Sequence, residues 1–297
     1  MEWLLTPLEV SFVQRALWAG LLVSVMCAAV GTWVVLRGLA FLGDAMSHGM
    51  LPGIAVASLL GGPLVLGAAV AAVVMAVGLR VVTSRGAVTH DTAVGLLFVG
   101  MLSVGVIIVS RSQSFAVDLT GYLFGDVLGV TGADLALLAA AAFVTVTLAL
   151  ALYRPFLALT FDARTAHTLG LRPGLAAVAM LLLMATAMVA SFRVVGTLLV
   201  FGMLLGPPAA AAVWTRRVSS TIALAACLGG LATVAGLLVS WYARTAAGAT
   251  IAALGVGSYF ASAAVAALLR RHRALRRHPS RATVRAVVAT PTRSETP

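Results

Sequence analysis

The sequence contains no lysine: all 20 of its basic residues are arginine. That absence excludes every site whose chemistry runs through a lysine amine. A Walker A phosphate loop, a Schiff-base lysine and a Ser-x-x-Lys dyad are all ruled out. The chain therefore does not hydrolyse ATP through a P-loop of its own. Acids are scarcer still, with nine Asp and Glu in 297 residues. Charged residues make up 10% of the chain, against about 25% in soluble domains. An ordinary soluble enzyme and a nucleic-acid module are excluded on that count. Cysteine is limited to Cys27 and Cys227, each inside an apolar run and without metal-motif spacing. Both read as buried small hydrophobes.

What is present is apolar. The chain is 61% hydrophobic, with a mean hydropathy of +1.07. A helical bilayer crossing takes roughly 20 apolar residues. The fold expected is an all-α polytopic membrane protein with about eight or nine transmembrane helices. Apolar runs bounded by Arg, Gly or Pro predict spans near 14–36, 40–60, 63–82, 92–110, 133–152, 173–191, 194–214, 219–240 and 249–269. The runs 173–191 and 194–214 are separated only by Phe192 and Arg193, so one of them is expected to be broken or re-entrant.

Residues 1–13 read as an interfacial lead-in with Trp3 at headgroup level. Glu2 and Glu9 precede the first Arg, so the basic n-region of a cleaved signal peptide is missing. The lead-in is expected to stay on the mature protein. Residues 111–132 and 153–172 are the two polar-flecked connections. The Gly121–Gly125 core of the first is apolar enough to predict a short interfacial helix there. The organisation expected is a transmembrane domain over 1–269 and a basic, disordered cytoplasmic tail over 270–297.

Arginine sets the orientation, because short cytoplasmic loops collect basic residues. Eight Arg lie at or beyond residue 270, a pattern that fits a cytoplasmic anchor beside anionic lipid. With the tail inside, nine spans leave the N-terminus outside. Arg37, Arg80, Arg85, Arg154, Arg164, Arg172, Arg216 and Arg217 then fall inside. Arg15, Arg111, Arg193 and Arg244 fall outside, one per connection.

The most informative stretch is Arg37–Gly53, RGLAFLGDAMSHGMLPG. Asp44 and His48 are its two ionisable groups inside an apolar span. A charge near the bilayer centre costs about 2.5–3.5 kcal/mol even on insertion scales, so it is rare without a function. The i,i+4 spacing places both on one helix face. Counted from Arg37 at 1.5 Å per residue, they lie ~10 and ~16 Å deep, near the midplane where transporters keep their coordination sites. An imidazole and a carboxylate suit Zn²⁺ or Mn²⁺. Two ligands do not complete a four-ligand shell, so the remainder must come from elsewhere in the chain, water or a second copy. The competing reading is an Asp–His hydrogen bond that satisfies two buried groups or caps a helix broken at Pro52-Gly53. His90-Asp91 is read as structural, since neighbours point to different helix faces. Asp118 and Asp126 are read as solvated loop acids. Met101, Met203 and Arg193 are left without a role.

Six segments together carry a family resemblance. Arg37–Gly53 resembles the Arg…Gly-Asp-x-x-Ser-His…Pro-Gly segment of the membrane permeases of zinc/manganese/iron ABC importers. His90–Phe98, Leu119–Gly129, Phe161–Leu171, Val195–Ala209 and Ser240–Thr250 resemble further segments of that family, in order and at compatible spacing. Gly49 departs from the pattern, which usually has a small or β-branched residue there. The doubled Pro207-Pro208 and the long Arg tail depart from it too. The resemblance implies a type II ABC importer-like permease fold and a homodimer in the cell membrane. It implies an ABC ATPase subunit below and an extracytoplasmic metal-binding protein above. A divalent metal, zinc or manganese, is then the transported substrate. No permanent cofactor and no nucleic-acid partner are expected, and ATP is used only by the partner subunit.

The resemblance also gives a role to 161–172. Asp162 suits an N-cap and Gly170 a C′ position, which predicts a short helix over 163–169. By similarity this is the segment that couples to the ATPase, with Asp162, Arg164, Ala166, Gly170 and Leu171 as its candidate residues. His167 is not counted as a metal ligand. Two other readings stand beside the metal importer: a permease for metal chelates of the siderophore or cobalamin type, and a proton-coupled cation transporter using Asp44 and His48 as a relay.

Overall fold

The computed structural model describes residues 10–84, 89–110, 125, 127, 129–161 and 173–276. All regular structure among them is helical. Ten helices follow in order: α1 (Ser11–Leu36), α2 (Ala40–Gly49), α3 (Leu51–Leu59), α4 (Leu64–Ser84), α5 (His90–Ser110), α6 (Gly132–Ala151), α7 (Tyr153–Phe161), α8 (Pro173–Trp214), α9 (Val218–Ala243) and α10 (Ala247–Arg276). Eight stretches are long and apolar enough to cross a membrane, α8 supplying two of them. The all-α polytopic expectation holds.

The span expected at 40–60 is present in two pieces, α2 and α3, joined at Met50. Pro52 has no N–H to give the His48 carbonyl one turn back. The Met50 N–H turns to that carbonyl instead. At 1.5 Å per residue the pieces are about 15 and 13 Å long. Together they match a hydrocarbon core of about 30 Å.

The tight turn expected at Phe192-Arg193 lies at Gly196 instead. Its φ of 73° and ψ of 161° break α8, and only glycine tolerates that region readily. The two halves fold back on each other. Met188 and Leu204, about 24 Å apart along a straight helix, both reach the space beside Gly43, at 3.6 and 3.2 Å from where a Cβ would sit.

This hairpin and α1 form the centre of the molecule. Of their spanning windows, 72% (α1), 67% and 78% (α8) are buried, against 17% in α5. Glycine lets the backbones approach, as it does at many membrane helix contacts. A Cβ on Gly31 of α1 would run into the Leu204 carbonyl. Gly53 of α3 and Gly67 of α4 meet the same way, each against the other's carbonyl. The peripheral helices α4, α5, α6, α9 and α10 show apolar side chains outward, as a lipid-facing surface requires.

Three sequence expectations change. The polar connection 153–172 begins with a helix, α7, whose Tyr153 and Phe156 pack edge-on against the buried Trp33 at 5.4 and 5.6 Å. Cys227 is exposed on the outer side of α9, while Cys27 is buried in α1. The last helix runs on past 269 to Arg276. At its start, α6 is closed by a capping box. Thr131 Oγ1 accepts from the Asp134 N–H, and the Asp134 carboxylate accepts from the Thr131 N–H, each at 3.2 Å.

Candidate metal-path site

Asp44 and His48 lie on α2. Gly38, with φ 67°, turns the chain after α1. The helix therefore starts at Ala40 rather than Arg37. The two residues sit about 6 and 12 Å along it, shallower than a count from Arg37 gives. His48 is the last turn before the break at Met50.

One face of α2 is locked to the core. Leu42, Ala45, Met46 and Gly49 are buried there. The Ser47 hydroxyl donates to the Gly43 carbonyl at 3.1 Å and lies 3.7 Å from the Met188 sulfur. The other face carries Asp44 and His48, with side chains 37% and 31% exposed on the isolated chain. His48 Nε2 stands 3.6 Å from Asp44 Oδ1. That is an ion-pair distance and too long for a hydrogen bond. The two groups therefore do not satisfy each other. Phe98 of α5 closes one side, its ring edge-on to His48 with centroids 5.9 Å apart and to Phe41 at 6.1 Å.

Gly49, the departure from the expected pattern, has a local explanation. A Cβ there would lie 2.5 Å from the Met75 sulfur and 3.8 Å from the Met101 sulfur. The Met75 thioether from α4 thus occupies the space a side chain at 49 would use, with the Met101 sulfur of α5 at ordinary contact distance. In the sequence Met101 is left without a role and Met75 is not singled out, since a thioether in an apolar run looks like ordinary packing.

Among the described residues no group of three or more His, Cys, Asp or Glu side chains converges. Asp44 and His48 stand there as a pair of candidate donors, each partly exposed on the isolated chain. His90 and Asp91 lie together at the start of α5 and do not join it. Asp118, Asp126 and the coupling residues Asp162, Arg164, Ala166, Gly170 and Leu171 lie outside the described residues. The helices flanking 162–172 can be placed. Tyr153 and Phe156 of α7 pack near the C-terminal end of α1. Gly174 of α8 lies beside the Arg80 guanidinium.

Comparison with known proteins matches this architecture. The model of the ABC 3 transport family fits residues 9–266. The manganese transport system membrane protein MntC of Halalkalibacterium halodurans is 34% identical over 82% of this chain and 84% of its own. The chelated iron transport system membrane protein YfeD of Yersinia pestis is 34% identical over 82% of each. Among solved structures, PsaBC from Streptococcus pneumoniae in complex with Fab superposes with a TM-score of 0.78 at 28% identity, covering 88% of this chain and 94% of that one. The chain belongs, as a multi-pass membrane permease, to the ABC 3 transport family.

Proposed function

We propose that this permease carries a divalent transition-metal ion, zinc or manganese, across the membrane, and that Asp44 and His48 line its path. The carrying observation is the pair itself. A carboxylate and an imidazole share one face of a broken membrane helix, close enough to bind one ion and too far apart to bond each other. The carboxylate offsets part of the cation's charge, and the imidazole supplies a borderline-soft nitrogen. The manganese and iron named for the relatives fit the same donor set.

The partners follow from what the chain lacks and leaves open. Without lysine it needs a separate ATPase chain, and the resemblance of 161–172 to the family's coupling segment supports that stretch as the contact. Exposed to lipid, Asp44 and His48 would be expensive. A second copy of the chain set face to face covers them and brings a second Asp–His pair, which completes a four-ligand shell. A separate extracytoplasmic protein delivers the ion.

The test is uptake of radiolabelled zinc and manganese with the ATPase partner co-expressed, measured beside membrane abundance. Asp44→Asn keeps shape and loses charge. It should abolish uptake at normal abundance, as should Asp44→Ala and His48→Ala. Wild-type uptake by Asp44→Asn, or wild-type uptake without any ATPase partner, would sink the proposal.

A further inference from the structure

A second polar site lies at the arginine-rich end of the molecule. A cavity of about 150 Å³ opens there between the end of α1, the end of α4 and the starts of α5 and α8. A water's share of liquid volume is about 30 Å³, so the space would hold a phosphate group. Arg37, Arg80, His90 and Thr83 line it, over a floor that includes Leu79 and Met180.

Its polar lining is mainly basic. Arg37 follows α1, and its guanidinium reaches the Met180 sulfur at 3.8 Å. Burial pulls its pKa below the ordinary guanidinium value. Arg80 Nη2 lies 2.8 Å from where a Cβ of Gly174 would be, over the first turn of α8. His90 is within electrostatic reach of Asp91 and, less strongly, of Arg37. Two helices also begin here, α5 and α8, and helix N-termini add positive potential. Thr89 caps one α5 donor, accepting from the Thr92 N–H at 3.3 Å.

Counter-charge is short. The described residues hold three carboxylates. Asp44 stands with His48, and Asp134 closes the α6 cap. Asp91, beside His90 in the first turn of α5, is the one described acid near the cavity. Among the described residues neither Arg37 nor Arg80 makes an ion pair. Arg with helix N-termini is a recurring phosphate-binding combination.

We propose that the Arg37–Arg80–His90 cavity binds a phosphate group, supplied by the headgroup of an anionic phospholipid or by free phosphate. The arginine distribution assigns this end to the cytoplasmic side, where anionic lipid is available. The site uses neither Asp44 nor His48, so it stands apart from the metal path.

The purified full-length chain tests it. In nanodiscs of phosphatidylcholine containing phosphatidylglycerol, native mass spectrometry should find phosphatidylglycerol retained in preference to phosphatidylcholine. Arg80→Gln and the double variant Arg37→Gln/Arg80→Gln should lower that preference about tenfold or more, the scale of a lost charge-assisted bond. Arg80→Lys should keep most of it, as should Arg244→Gln at the opposite end. A parallel arm titrates inorganic phosphate into delipidated chain and reads thermal stability. Stabilisation that vanishes in the double variant identifies free phosphate as the source. Lipid retention that inorganic phosphate does not displace identifies the headgroup. Equal retention of both lipids together with no phosphate stabilisation, or Gln variants that bind as wild type does, overturns the proposal.

Discussion

Gly49 and Met75 should behave as one packing unit, and the signs can be worked out beforehand. A methyl group at 49 would fall 2.5 Å from the Met75 sulfur, inside any real carbon–sulfur contact. Overpacking of this kind costs about 1–3 kcal/mol. Replacing a helical glycine by alanine returns about 1 kcal/mol of propensity. Gly49→Ala alone should therefore be destabilising by about 0–2 kcal/mol, the difference of those figures. Met75 is 1% exposed, so Met75→Ala should cost about 2–5 kcal/mol through the cavity it leaves. In the Met75→Ala background the clash is gone. Gly49→Ala then keeps only its propensity gain and fills part of the cavity, so its sign reverses.

The assay is a double-mutant cycle on the purified permease by reversible denaturation, with uptake measured beside it. The double variant should be more stable than Met75→Ala alone, with a coupling energy of about 1 kcal/mol or more, within the range for contacting residues. Uptake should follow the same order, because residue 49 adjoins His48. Additivity within about 0.3–0.5 kcal/mol would refute the idea that Met75 fills the place of a side chain at 49.

The hairpin turn gives a second prediction: Gly196→Ala, forced to keep φ 73°, should lose about 1–3 kcal/mol. Gly257→Ala on α10, with open space around it, should be neutral or stabilising, and equal denaturation midpoints for the two would contradict the turn. For topology, single cysteines in a cysteine-free background should label at 280 only from the cytoplasmic side and at 120 only from outside. Reactivity at 280 in intact cells would reverse the orientation and the coupling assignment together. Ala166→Pro should abolish co-purification with the ATPase subunit, since a mid-helix proline costs about 3 kcal/mol. It should leave membrane insertion intact, and undiminished co-purification with full transport would make 161–172 a mere connector.

The spans were legible because lipid leaves few options. Every crossing needs about 20 apolar residues with internal hydrogen bonds, and Arg, Gly and Pro mark the ends. The break between α2 and α3 enters the sequence reading only in the competing account of Pro52-Gly53, and 40–60 reads there as one span. The turn of α8 was placed slightly early because Arg193, as the charge between two apolar runs, looked like the natural end. The chain turns instead where a backbone can take φ 73°, which is at Gly196. Helix α7 was missed because nine residues carry too little periodicity to read. Its reason for forming is Trp33, more than a hundred residues earlier in the chain, and a contact of that range leaves no local mark.

The Asp44–His48 pair was conspicuous in the sequence for the same reason that its surroundings were not. Asp44 and His48 stand out because charge in a membrane span is costly, so each must have a use. Met75, Met101 and Phe98 cost nothing to bury and carry no such signal. Their roles come from which helices meet, and sequence spacing does not encode that. The open face of α2 repeats the lesson at the next level. On one chain the pair looks half-exposed and short of ligands. A carboxylate and an imidazole cannot be left that way against hydrocarbon. On the proposed reading the surface that completes them is a facing copy of the chain, which would bring both the cover and a second Asp–His pair.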